Sequence, residues 1–212
     1  MKILCTICAR SKSKGLKNKN IKLLNNKPLI SYTINQAIRS NIFHEIIIST
    51  DSKKIEKIAL SYGIKSIGKR PDSLSNNTIS KIDVIRHAVS KFEKSTSDKY
   101  YTIIDLDITS PLRKISDIKN SFKMFKNNNT DNLITVCESR KNPYFNMVEL
   151  KNKKVKLVKR LKNKISSRQK APKVFEMNAS IYIWKRDVLF SKNPLFRKKT
   201  SIYEMPYERS ID

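Results

Sequence analysis

Residues 45–67 read EIIISTDSKKIEKIALSYGIKSI, and this stretch decides the fold class. The run Ile46-Ile47-Ile48 predicts a short buried strand over 45–49, ending at Thr50-Asp51. Residues 52–62 then switch period. Ile55, Ile58 and Ala59 share one helical face, and Gly63 stands just past the end, where a helix C-terminus favours glycine. Residues 64–67 form a second short strand. A strand–helix–strand unit of this size implies parallel strands joined by a crossover helix.

The same alternation extends outward in both directions. Upstream, KILCTIC at 2–8 predicts a buried strand, and 28–40 a helix with Pro28 in its first turn. Downstream, the pattern predicts helices over 80–94 and 115–127 and strands over 100–106, 132–137 and 179–184. Residues 144–149 and 153–158 suit a hairpin. The expected fold is therefore α/β, one Rossmann-like domain over 1–212 with a mostly parallel sheet flanked by helices. No repeat or Pro/Gly/Ser linker divides it. Ligands of such sheets sit beyond the C-terminal ends of the strands, so 8–20, 49–52, 68–81 and 105–113 are the segments to search.

Composition limits the alternatives. The 212 residues are 39% hydrophobic and 30% charged, as in a soluble globular chain. No apolar run approaches the roughly 20 residues of a membrane helix, and the N-terminus lacks a secretory pattern. Three cysteines suit a reducing, cytoplasmic setting. Lys plus Arg total 45 against 18 Asp plus Glu, a net charge of +27. That excess is spread along a Lys-, Asn- and Ile-rich chain with only 3 Gly, so it reads as compositional bias. Nucleic-acid or membrane binding is not expected, since no aromatic-basic stacking motif or recognition helix accompanies the charge. The charge still favours encounter with small anions.

Three motifs bear on chemistry. The loop ARSKSKGLKNKN at 9–20 follows the first strand directly. Its cations and backbone N–H groups suit a polyphosphate, although it matches neither the P-loop nor the GxGxxG spacing; the alternative is a solvated basic loop. The second motif, DLDITSPLR at 105–113, sets Asp105 and Asp107 on one side of a strand. Such carboxylates need a cation or donors, which suits Mg²⁺ or hydroxyl binding, unless they cap the next helix. The third, Cys5-Thr6-Ile7-Cys8, lies inside a strand, where i and i+3 face opposite ways, so these read as buried structural thiols rather than a redox or zinc pair. His44 and His87 have no triad context, which disfavours a Ser-His-Asp hydrolase.

In order and spacing, ICARSKSKGLKNKN, IIISTDS (46–52), RPDSLSNNT (70–78), DLDITSPLR and APKVFEMNASIYIW (171–184) resemble the CMP-sialic acid synthetases, the acylneuraminate cytidylyltransferases. GLKNKN, DLD before TSP, and RKNPYFNMVEL at 140–150 are most similar to the branch that activates legionaminic acid. The resemblance implies that CTP and an acidic nine-carbon 2-keto sugar give a CMP-sugar and pyrophosphate with Mg²⁺, for bacterial surface glycans. It further implies a homodimer built on an element at about 140–170. By motif it assigns Arg10 and Lys19 to catalysis on the CTP phosphates, and Ser13, Lys14 and Gly15 to the loop around them. Asn20, Arg70 and Thr78 fall on the cytidine. Asp107, Thr109, Ser110, Arg168, Phe175, Asn178 and Tyr182 fall on the sugar. Asp212, with Asp107, falls on the metal.

Two departures from the family pattern stand out. Lys12 replaces a small or polar loop residue, adding charge beside the phosphates. The family continues past the position of Asp212 with a second Asp and a final helix, so a missing metal ligand and a missing helix are expected here. The alternative to an active enzyme is then a CTP- or sugar-binding relic with little turnover.

Overall fold

A computed structural model describes residues 2–11, 15–76, 78–163 and 165–211. In chain order its elements are β1 (Ile3–Ala9), β2 (Leu23–Leu24), β3 (Lys27–Pro28), α1 (Leu29–Ser40), β4 (Glu45–Thr50), α2 (Lys53–Ser61), β5 (Lys65–Lys69), α3 (Lys81–Thr96) and β6 (Thr102–Leu106). They continue with α4 (Ile115–Asn127), β7 (Asn132–Glu138), β8 (Val148–Lys151), β9 (Lys154–Leu157), β10 (Phe175–Lys185), α5 (Arg186–Leu189) and β11 (Thr200–Glu204).

Seven strands make one sheet in the order β11-β7-β10-β6-β1-β4-β5. The pairs β1–β4, β1–β6, β4–β5 and β7–β11 are parallel; β10 runs antiparallel between β6 and β7. The fold is thus the mostly parallel α/β sheet that the alternation predicts. Strand order reverses around β1, whose neighbours are β4 and β6, and a crevice opens there at the C-terminal ends.

Alternation along the strands builds two cores. Ile3, Cys5 and Ile7 pack with Ile30 and Ile34 of α1, Ile55 and Ala59 of α2, and Ile118 and Phe125 of α4. On the other face Leu4, Ile47 and Ile103 meet Ile85, Val89 and Phe92 of α3, with Trp184 and Leu189 beside them. The helix ends carry their own signals. Ser52 and Ser80 accept from Ile55 N and Asp83 N, and Gly63 (φ 78°) follows α2 in the left-handed region that a side chain disfavours.

Three regions differ from expectation. The hairpin is shorter, β8 and β9, because Asn142 takes 144–147 into a turn: its carbonyl accepts Phe145 N, Asn146 N and Met147 N. β10 is longer than 179–184 and is broken by a register shift between Met177 and Tyr182, with Ala179 at φ 54°. β11 and α5 carry too few apolar residues to announce themselves; β11 is a half-exposed edge strand.

Candidate active site

The base of the basic loop is held from several sides. Ser11 donates through N and Oγ to Asp51 at 2.7 and 2.6 Å, tying the loop to the end of β4. Asn20 Nδ2 donates to Arg10 O at 2.9 Å. Arg70, nearly buried, donates to Ala9 O at 3.3 Å and to Ser75 Oγ at 3.2 Å, and lies 3.9 Å from Asp51. Burial lowers its pKa below the ordinary guanidinium value, against the pull of Cys8 and Asp51. Asn18 turns the chain in the left-handed region at φ 58°.

Across the crevice, β6 delivers two carboxylates. Asp105 is fully buried and accepts from Thr6 Oγ1 at 2.8 Å. Asp107 Oδ1 accepts from Thr109 N and Oγ1 at 2.9 and 2.8 Å. The ammonium of Lys81 sits between them, 2.9 Å from Asp105 Oδ2 and 2.5 Å from Asp107 Oδ2, with the Tyr182 ring 5.3 Å away. Burial alone would raise the pKa of Asp107, but the Lys81 ammonium and the Lys81 and Thr109 hydrogen bonds hold it well below the usual carboxylate range.

A cleft of about 640 Å³ joins the two sides, lined by Arg10, Gly15, Lys19, Asn20 and Arg70 on one and Lys81, Asp107 and Thr109 on the other. Cys8 forms part of its wall, so that thiol is half-buried in the site and not wholly inside the core as expected. Burial, then Asp105, pushes its pKa well above the ordinary thiol value.

The structure therefore brings together seven residues that the sequence singled out: Arg10, Gly15, Lys19, Asn20, Arg70, Asp107 and Thr109. Others stand off the lining. Thr78 is exposed, with N and Oγ1 both donating to Asn76 Oδ1, and it is Asn76 that reaches the cleft. Ser110 is buried, with its carbonyl accepting from Arg113 N. Arg168 donates to Ser139 O, and the Phe175 ring lies under Lys173. Asn178 is occupied internally: Oδ1 accepts from Thr135 Oγ1 and Ser180 N, while Nδ2 donates to Ser210 Oγ. Tyr182 lies behind Lys81 and stacks on Trp184. Ser13, Lys14 and Asp212 lie outside the described residues.

Lys81 and Asn76 escaped the sequence reading, and Arg113, which closes the DLDITSPLR motif, proves to be buried beneath the site. A signal for Lys81 was present. A lysine at the first helical position opposes the helix dipole, and two same-face aspartates require a cation nearby.

The described residues do not by themselves fit a resident Mg²⁺. Among them no group of three His, Cys, Asp or Glu is placed to hold a metal. At Asp107 an ammonium already stands at the point a cation would take.

An open, mostly parallel sheet with a cation-rich loop after β1 and a carboxylate-bearing turn after β6 defines a nucleotide-binding α/β protein. Its cleft offers the cationic side chains of Arg10, Lys19 and Arg70 on one side and the oxygens of Asp107 and Thr109 on the other. The family profile described as "Cytidylyltransferase" matches residues 4–210, and the chain belongs to that family. It is 46% identical over 210 residues to "Post-translational flagellin modification protein B" of Campylobacter coli, covering 99% of this chain and 88% of that one. With the same coverage it is 44% identical to "CMP-N,N'-diacetyllegionaminic acid synthase" of Campylobacter jejuni subsp. jejuni. Among solved structures, a CMP:2-keto-3-deoxy-manno-octonic acid synthetase complexed with CTP superposes with a TM-score of 0.67, covering 97% of this chain and 90% of that one. At 16% identity that likeness is one of fold.

Proposed function

We propose that this protein transfers CMP from CTP to a nine-carbon 2-keto acid sugar of the legionaminic or sialic type, releasing pyrophosphate. The observation that carries the reading is one cleft with Arg10, Lys19, Asn20 and Arg70 on one wall and Asp107 and Thr109 on the other. Its volume, about 640 Å³, suits a small-molecule site.

In the proposed reaction the anomeric hydroxyl attacks the α-phosphorus in line. A new O–P bond forms, the bond to the β-phosphate oxygen breaks, and the hydroxyl proton passes to water in the open cleft. Phosphoryl chemistry of this kind needs positioning and charge neutralisation above all. Arg10 and Lys19 supply fixed positive charge where it grows on the leaving pyrophosphate. Asn20 and Arg70 keep the loop in place from below, through Arg10 O and Ala9 O, and hold the cytidine end. Asp107, held ionised, is an acceptor for a sugar donor and a poor proton store. Mg²⁺ belongs to the proposal as the counter-ion that CTP carries on its phosphates.

A homodimer is part of the same proposal. Val148 pairs with Leu157 and Leu150 with Val155, so β8 and β9 present one apolar face while Glu149, Lys151, Lys154 and Lys156 fill the other. Val148, Leu150 and Val155 are 61, 73 and 67% exposed in the single chain. A second copy covering that face would remove its cost in water. A cytoplasmic location fits the three free thiols and a nucleotide substrate; among the described residues no helix is long and apolar enough to cross a membrane.

The test is pyrophosphate release with CTP and Mg²⁺ across legionaminic, sialic, pseudaminic and 3-deoxy-octulosonic acids, beside an Arg10→Ala protein. Release with a nine-carbon acid that Arg10→Ala reduces by about 100-fold is expected. No release with any acid, from folded protein, would overturn the reading.

A further inference from the structure

One group in the cleft has no part in the assignments above: the ammonium of Lys81. It is the centre of a chain of contacts drawn from separate elements. Thr6 of β1 donates to Asp105 of β6, Asp105 pairs with Lys81 of α3, Lys81 pairs with Asp107, and Asp107 accepts from Thr109. The lower end of this chain is fully buried and the upper end opens into the cleft.

The arrangement is costly to build. Asp105 has no exposure to water, and Lys81 keeps only 33% of its side-chain surface. A buried ion pair offers little net stability, because desolvation offsets the attraction. What it does supply is a defined direction. Asp107 follows the last residue of β6, where a lone carboxylate could swing toward water. Here Thr109 fixes one oxygen through two hydrogen bonds and Lys81 fixes the other. Behind Lys81 stand the Tyr182 ring, 5.3 Å from the ammonium, and Asp105 at 2.9 Å. The carboxylate keeps lone pairs for one further donor, because each oxygen accepts more than one hydrogen bond.

The geometry points to Lys81 as a positioning residue for the sugar, acting through Asp107 to hold a fixed acceptor for a hydroxyl or amide N–H of that substrate. The ion pairs of Lys81 join it to Asp105 and Asp107, on the side of the cleft that the proposed reaction gives to the sugar. This rests on the proposed cytidylyl transfer and adds to it a substrate requirement: the sugar presents a neutral donor, not a second anion, where it meets Asp107.

The experiment measures kcat and KM for each substrate by pyrophosphate release in wild type, Lys81→Arg, Lys81→Met and Lys81→Met/Asp105→Asn. The double variant removes one charge of each sign from the buried site, so it stays foldable where Lys81→Met alone leaves two carboxylates facing each other. Thermal melting checks each protein. The expected result is a KM for the sugar raised tenfold or more in the double variant, with the KM for CTP within twofold of wild type, and partial recovery in Lys81→Arg. A purely structural role would instead move the melting temperature and the two KM values together, and that outcome overturns the inference. So does a sugar KM that stays at the wild-type value. Wild-type protein that turns over no sugar overturns the functional reading first and this inference with it, so the two failures are distinct.

Discussion

Arg113 Nη1 donates to the main-chain oxygen of Ser180 at 2.6 Å, so the turn after β6 and the irregular part of β10 hang on one guanidinium. The same group reaches Asp107 O, Thr33 Oγ1 and Gln36 Oε1, each at 3.1 Å. Burial lowers its pKa to about 10, against the opposing pull of Asp107. Removing a buried, fully bonded charge strands its partners at a cost of about 3–5 kcal/mol. Arg113→Ala should therefore lower the urea midpoint sharply, and Arg113→Lys should recover less than half, because an ammonium cannot reproduce the fork. An unchanged midpoint would show that this network is ornamental.

Acid stability should report on Asp107. Its pKa in the fold lies below its ordinary value, so the unfolded chain takes up the proton first as pH falls. The contribution is complete above the ordinary carboxylate pKa of about 4 and is lost as pH drops through and below it. Denaturant titrations from pH 7 to 3 should show a steep acid decline that Asp107→Asn makes shallower. Equal slopes in the two proteins would contradict the Lys81–Asp107 pairing.

Thiol chemistry offers a third check. Cys5 and Cys137 are buried, and burial raises the pKa of both Cys5 and Cys8 well above the usual thiol value. Little thiolate exists at neutral pH, and the thiolate is the reactive form. An aromatic disulfide reagent should find no fast-reacting thiol in the native protein and all 3 in denaturant. A rapid thiol protected by CTP would show instead that Cys8 is activated.

The hairpin prediction concerns assembly. Leu150→Glu places a charge in the middle of the apolar β8–β9 face. Sedimentation should show a dimer in wild type and a monomer in the variant, with the melting temperature nearly unchanged because Leu150 packs against little in the single chain. A variant that still sediments as a dimer would place the interface elsewhere.

Much of this architecture was legible because the strands and helices that build the sheet repeat their signals. Residues 115–127 carry a helical stripe and fold as α4 over the same span, and the alternation in 2–8 places Cys5 and Cys8 on opposite faces. Edge elements were harder to read. β11 buries only part of Ile202 and Tyr203, so nothing in its pattern separates it from loop. In the site, the basic loop and the β6 turn announce themselves because each concentrates charge next to a strand. Lys81 does not, in a chain with 45 basic residues, until the two aspartates it serves are seen together with it. Thr78, Arg168 and Asn178 show the converse. Motif spacing located them, but their hydrogen bonds point to Asn76, Ser139 and Ser210.

β10 lies between β6 and β7, yet it is made long after either of them. A ribosome that has released only the first 170 residues has produced the four-stranded β6-β1-β4-β5 fragment and β7 alone, with no strand to join them. Their facing edges carry unsatisfied N–H and C=O groups, which are templates for pairing with other chains. Strands joined over such sequence separations form slowly. Synthesis of residues 175–185 thus joins the two parts, before β11 completes the edge beside β7, and the interval before it is when this chain is most exposed to aggregation.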